Sequence, residues 1–366
     1  SCPVSAFLGL CDTHATRAPQ MRRCGAVMLC AAARIRSAAA LLAPRRRPPT
    51  RLYSLPGASD YHVPVLGNEC IDWLARDEGV FVDCTLGGGG HSSLLLEKVG
   101  ASAKVIGLDR DKDAIEAASA RIRDARFSTI EAVFDQGLQR AFEAHGKFTG
   151  VLMDLGVSSH QIDDAERGFS TRFDGPLDMR MGTTGRTALD LINDLDAKGL
   201  ARLLRQNADE PHASRIAKAV KGASLATTSD LASIVSESIP KTSPPHLDAK
   251  RRSKAVARVF QALRIEVNDE LGALDRALEL LPTVVAEGGR VVVLAYHSLE
   301  DRRVKRFFRD GKFRGDAERD AYGNRLTPFR PLTRKAETAS DDEVAANPRA
   351  RSARLRVAER TDWSPS

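Results

Sequence analysis

The stretch Phe81-Val82-Asp83-Cys84-Thr85-Leu86-Gly87-Gly88-Gly89-Gly90-His91 decides the fold. Phe81 to Thr85 is a short apolar strand, the four glycines are a tight turn, and a helix is predicted from His91 to about Val99. Glycine lets a backbone turn sharply and approach a ligand at the N-terminus of the following helix. About 20 residues after the turn, the strand beginning at Lys104 ends in Leu108-Asp109, where a carboxylate can accept both hydroxyls of a ribose. Together these features specify a nucleoside held at the carboxyl edge of a parallel sheet.

Outward from this unit, strands and helices alternate. A helix is predicted from Ala114 to about Ala125, a strand over Ser128 to Phe134, a helix near 136–144 and a strand over Gly150 to Asp154. Strand pattern returns only at Arg290 to Ala295. The more than 130 residues between those last two strands are far too many for a loop. Their periodicity is helical over Leu195 to Leu204, Ala213 to Val220, Leu231 to Ile239 and a long run from Ala255 to Leu281. The expected fold is therefore an α/β doubly wound, Rossmann-like sheet carrying an inserted all-helical subdomain. The expected organisation is a leader over 1–57, core over 58–164, a helical insert for substrate recognition over 165–285, core again over 286–310, and a basic tail over 311–366 completing the core surface.

The chain has 366 residues, 42% hydrophobic and 28% charged, which excludes collagen-like and disordered classes. No apolar run approaches the ~18 to 20 residues of a membrane-spanning helix, and no membrane partner is expected. The net charge of +7 comes from its ends. Residues 1–57 hold nine Arg and one acid, and 302–360 hold 17 basic against nine acidic residues. From Met21 to Leu55 an acid-free, Ala- and Arg-rich stretch has the composition of an organelle transit peptide, with Arg51-Leu52-Tyr53-Ser54 resembling a mitochondrial processing site. The mitochondrial matrix is the expected location, with the chloroplast stroma as the alternative. Four of the six cysteines lie in the leader; Cys70 and Cys84 have no partner at zinc spacing, so a reduced, metal-free protein is expected.

Charge selects the cofactor. Asp83, just before the glycines, would repel the pyrophosphate of a dinucleotide but suits a cationic amino group. A ligand with ribose hydroxyls, an ammonium and no phosphate is S-adenosylmethionine, and Asp83, Gly87 and Asp109 are its first expected contacts. Phe134 can cover the adenine. Asp154, ending the fourth strand before Leu155-Gly156-Val157-Ser158-Ser159-His160-Gln161, is placed to orient an exocyclic amine for attack. No cysteine follows that strand, so carbon-5 methylation is disfavoured. His297 is a second catalytic candidate, although a histidine at a strand end also serves structure.

The strings that carry a family resemblance are the glycine turn, Asp154 to Ser159, Asp163-Asp164-Ala165-Glu166-Arg167-Gly168-Phe169-Ser170, Asp174 to Met181, Phe260 to Ile265, His297-Ser298-Leu299-Glu300-Asp301-Arg302 and Asn347 to Ser352. Over about residues 61–360 the chain resembles the small-subunit ribosomal RNA cytosine-N4 methyltransferases, the MraW or RsmH family. The resemblance implies a class I S-adenosylmethionine-dependent sheet. It implies a donor site of Gly89, Gly90, His91, Asp109, Phe134, Asp154 and Gln161, and N4-methylation of a cytidine in the decoding region of small-subunit ribosomal RNA. The partner would be that RNA or the small ribosomal subunit of an organelle, contacted through the insert and the basic run Arg302, Arg303, Lys305 and Arg306. An assembly factor that kept the fold with weak or no chemistry is the rival reading, and an NAD-dependent oxidoreductase a third. Monomer and homodimer both stay open. Two segments depart from the family text: Lys254 to Arg258, where many members read His-Pro-Ala-Thr-Arg, and Asp209-Glu210-Pro211-His212, in place of a Gly-Glu pair.

Overall fold

A computed structural model describes residues 64–241 and 244–363; the leader expected over 1–57 lies outside them. Helix α1 (Gly67–Leu74) precedes β1 (Val80–Asp83), α2 (Gly90–Lys98), β2 (Lys104–Asp109), α3 (Lys112–Arg121), β3 (Phe127–Glu131), α4 (Phe134–His145) and β4 (Phe148–Asp154). Helices α5 (Ser159–Asp163), α6 (Ala188–Asp194), α7 (Ala197–Ala208), α8 (Ala213–Lys221), α9 (Thr228–Ser238), α10 (Pro245–Asn268) and α11 (Glu270–Val284) follow before β5 (Val285–Ala295). The chain closes with α12 (Ser298–Asp310), β6 (Glu318–Arg319), β7 (Arg325–Leu326), β8 (Phe329–Pro331), α13 (Asp341–Ala346) and β9 (Arg354–Arg360).

Seven strands form one sheet in the order β3-β2-β1-β4-β5-β9-β8. The first five run parallel, and β9 and β8 add antiparallel. Strand order reverses between β1 and β4, and a crevice opens at the carboxyl ends at such a switch point. Successive strand residues feed opposite faces. Val82, Ile106, Val151, Met153, Val291 and Val293 pack in one layer, whereas Phe81, Val105, Leu152, Val292 and Leu294 pack in the other. Both faces are dry, which explains why these strands read as near-continuous apolar runs.

The helical insert has its own core. Leu177, Leu191, Leu200, Leu204, Ile216, Leu231, Val259 and Leu263 cluster together, apart from the sheet layers. The run expected over 255–281 is two helices, because Asp269 takes a left-handed φ of 49°. Asp and Asn tolerate that conformation better than most residues, and the Asn268-Asp269 pair marks the break. Leu274, Ala277, Leu278, Leu281 and Val284 of α11 pack on the sheet, so the insert core ends near Asn268.

Two further expectations change. Phe134 does not end a strand: β3 stops at Glu131, opposite Asp109, where β2 runs out of residues to pair with it, and Phe134 begins α4. The tail does more than complete the core surface. β9 lies against β5 over six register pairs, and its Arg356 makes a buried bidentate pair with Asp301 of α12 at 2.6 and 3.1 Å. Among the described residues no helix is long and apolar enough to cross a membrane.

Candidate active site

The glycine turn is shaped by its surroundings. Gly89 has φ 75°, and a Cβ there would sit 2.8 Å from the Ile122 side chain, so no other residue fits without displacement. Gly87, at φ 48°, donates its backbone N–H to Asp109 Oδ2 at 2.9 Å. Asp111 N–H reaches Asp109 Oδ1, also at 2.9 Å. Each Asp109 oxygen thus holds one backbone donor and keeps lone-pair capacity for another. Burial pushes the Asp109 carboxyl up to about 6, against the pull of those two N–H groups. Hydroxyl donors from a ribose would complete the set of partners its charged form needs.

Asp83 lies behind the turn and is buried. It accepts Ser92 Oγ–H at 2.7 Å and Thr85 N–H at 3.2 Å. It therefore acts on the pocket by its field more than through an open oxygen. Burial raises its pKa, opposed by His91 and by the Ser92 and Thr85 hydrogen bonds. Gly90 opens α2 with Gly89 as its left-handed N-cap, and Phe134 stands half-buried at the start of α4.

β2 and β4 flank β1 on either side, so the ends bearing Asp109 and Asp154 stand roughly 10 Å apart. Asp154 N–H donates to Thr85 Oγ1 at 2.7 Å, tying β4 to the strand that carries the glycines. Its Oδ1 accepts the Tyr296 phenol at 2.7 Å, and its Oδ2 lies 3.7 Å from His91 Nδ1. A quarter of the Asp154 side chain remains open. Burial raises its pKa; His91 and the Tyr296 hydrogen bond pull it down, and Asp83 and Glu300 push it up.

Gln161 reaches the site indirectly. Its side chain closes a capping box on Ser158 and donates Nε2–H to Asp111 Oδ2 at 2.7 Å. That same oxygen receives Arg167 Nη2–H at 2.8 Å, and Arg167 also donates to the Met181 carbonyl at 2.9 Å. Asn268 continues the chain, bonding Met181 N–H and the Met179 carbonyl, while Arg110 donates to the Asn268 carbonyl. The loop over 165–181 is thereby latched to the acidic loop after β2 and to the end of α10.

The structure gives His297 a structural position. It is the N-cap of α12, its Nδ1 accepts Glu300 N–H at 3.5 Å, and its Nε2 lies 3.1 Å from Glu300 Oε1. Glu270, His297 and Glu300 have metal-like spacing. Arg264, however, takes both Glu270 oxygens at 2.8 and 2.9 Å, so the group works as an ion-pair lock between α10, α11 and α12. Tyr296, overlooked in the sequence, takes the place beside Asp154. Its signal was positional: Asp154 pairs with Leu294, two residues earlier on β5.

Cys70 and Cys84 are free and buried, and burial drives both thiols well above their ordinary range. Neither is a nucleophile for ring attack. Of the expected basic run, Arg302 lies 3.8 Å from Asp209, Arg303 pairs with Asp275 at 3.1 Å, and Arg306 donates to the Gly315 carbonyl. Two of its four charges thus face an acidic partner. The two segments that depart from the family text meet at positions that keep it: Arg258 donates to buried Glu210 at 3.1 Å, while Asp209, standing where the family has glycine, holds a left-handed φ of 49°, the helix C-terminal conformation that favours glycine.

The family model described as MraW methylase family matches residues 59–361. A Ribosomal RNA small subunit methyltransferase H from Anaeromyxobacter dehalogenans is 48% identical over 313 residues, covering 82% of this chain and 97% of that protein. The protein of the same name from Parabacteroides distasonis is 42% identical over 310 residues, covering 82% and 98%. That from Cytophaga hutchinsonii is 44% identical over 308 residues, covering 82% and 99%.

Proposed function

The chain belongs to the MraW methylase family, and from that premise we propose that it N4-methylates a cytidine in the decoding region of small-subunit ribosomal RNA, in the mitochondrial matrix. The family is S-adenosylmethionine-dependent, and the residues present suit that donor: a glycine cradle, a ribose acceptor in Asp109, and a pocket edged by the carboxyl groups of Asp83, Asp109 and Asp154. When bound, the donor supplies an electrophilic sulfonium methyl group.

The observation that carries the reading is Asp154. It ends the strand beside the switch point, a quarter of its side chain open, with one oxygen fixed by Tyr296 and its backbone fixed by Thr85. A carboxylate held in this way can accept a hydrogen bond from an exocyclic amine and aim its lone pair along the attack line, within about 3 to 3.5 Å of the methyl carbon. Cytosine N4 is a poor nucleophile because its lone pair is delocalised into the ring, so such orientation has to supply part of the barrier lowering. The target base must be unstacked for its exocyclic amine to reach Asp154. The latch from Asp111 through Arg167 to Asn268 ties the donor side of the crevice to the helical insert, a fitting place for the RNA to be read.

The mitochondrial location rests on the acid-free, arginine-rich composition of residues 21–55. Mapping modified cytidines in organelle small-subunit RNA, with and without this protein, tests the proposal. Loss of one N4-methylcytidine on depletion is expected, and an unchanged modification map contradicts it.

A further inference from the structure

His91 is buried, 5% exposed, and its two ring nitrogens have different partners. Nε2 lies 3.1 Å from the Val65 carbonyl oxygen. A carbonyl only accepts, so Nε2 carries the proton and, in the neutral ring, Nδ1 carries the lone pair. That lone pair faces Asp154 Oδ2 at 3.7 Å. Two acceptors therefore confront each other with room for one proton between them, and closing the gap by roughly 0.8 Å would give an ordinary charge-assisted hydrogen bond.

We propose that His91 takes up, through Asp154, the proton that the target amine releases when it is methylated. The inference rests on the methyltransferase reading above and deepens it. In the transfer the S–CH3 bond breaks with its electron pair staying on sulfur, and an N4–CH3 bond forms. N4 then holds one proton too many. That N4–H bond breaks as an O–H bond forms on Asp154, and the proton passes from oxygen to His91 Nδ1. The products are a thioether, N4-methylcytidine and an imidazolium paired with the Asp154 carboxylate. One positive charge sits in the pocket before and after, moved from sulfur to imidazole, so the buried negative groups keep a counter-charge throughout.

The surroundings support this assignment. The charged groups facing His91 are Asp83 from β1, Asp154 from β4 and Glu343 from α13, all acidic. Those facing Asp154 are His91, Tyr296, Asp83 and Glu300, with the Cys70 thiol nearby. His91 acts through Asp154, so it is a positioning and relay residue.

The test compares kcat against pH for the full chain and for His91→Gln on small ribosomal subunits, with donor affinity measured alongside. Without His91, Asp154 loses a partner that favours its charged form, so its acid limb moves to higher pH. The expected loss is tenfold or more, about that at pH 6.5, shrinking to about twofold near pH 9. An equal loss at every pH overturns the relay and leaves His91 a turn-shaping residue. If the variant does not fold, nitrogen NMR of histidine-labelled wild type decides independently. The Nε2–H tautomer of His91 is expected without substrate, and an Nδ1–H tautomer overturns the proposal. Absence of any methyl transfer by wild type instead removes the methyltransferase reading itself, and the relay with it.

Discussion

The phenol of Tyr296 donates its proton to Asp154 Oδ1 at 2.7 Å, joining the carboxyl ends of the neighbouring strands β5 and β4 at one side of the crevice. The bond occupies Oδ1, leaves Oδ2 facing His91, and favours the charged form of Asp154 against its burial, while burial first and Asp154 second push the Tyr296 phenol well above its ordinary range. Tyr296→Phe should therefore lower kcat by about three- to tenfold at neutral pH and move the acid limb upward, with donor affinity unchanged within about twofold. Steady-state kinetics with titration calorimetry checks it; an unchanged pH profile would show that the phenol only packs.

Asp109 gives donor binding its pH dependence. Its carboxyl is raised to about 6, so it is protonated below that pH and cannot accept two ribose hydroxyls. Affinity should fall as pH drops through 6, approaching tenfold per unit, and be flat from about 7 to 8. The sign for the ligand-free fold is opposite: folding binds a proton between the ordinary 3.8 and 6, so this group costs stability as pH rises through that window. Calorimetry at pH 5, 6 and 7.5, repeated on Asp109→Ala, should show weak, pH-independent binding in the variant.

Arg167 joins donor side and insert. Removing it in Arg167→Ala leaves Asp111 with Gln161 as its remaining side-chain donor, and frees the Met181 carbonyl. The expected signature is a KM for the ribosomal substrate raised by about tenfold or more, with a much smaller change in donor affinity. Equal changes in both would place Arg167 in donor binding instead.

The buried pair Arg356–Asp301 fastens β9 to α12. Arg356→Met leaves Asp301, among the described residues, with Arg354 at 3.8 Å as its ion-pair partner and should destabilise the fold by about 3 kcal/mol, read in urea unfolding. A loss under about 1 kcal/mol would mean that the tail strand is held by backbone pairing alone.

What the sequence made legible depended on how local the signal was. Asp109 was readable because strand, turn and acid follow within one βαβ unit. β9 was hidden by charge: Arg354-Leu355-Arg356-Val357-Ala358-Glu359-Arg360 reads as solvated tail, yet Arg356 is buried on Asp301, and Arg360 donates to the carbonyls of Pro282 and Pro328. Tyr296 was hidden because its importance comes from the parallel register of β4 and β5, which a single strand does not announce. The end of α10 at Asn268 was visible only as an Asn-Asp pair inside an otherwise continuous amphipathic run. His297 stood in a conspicuous string, but the string encodes a helix cap.

The most direct measurement is to incubate the purified full chain with methyl-deuterated S-adenosylmethionine and small ribosomal subunits lacking the modification, then digest the RNA and weigh its nucleosides. The account predicts a single deuterated N4-methylcytidine, lost in Asp154→Asn while that variant still binds the donor. Label on carbon 5 of cytosine, or none with the donor demonstrably bound, would contradict it.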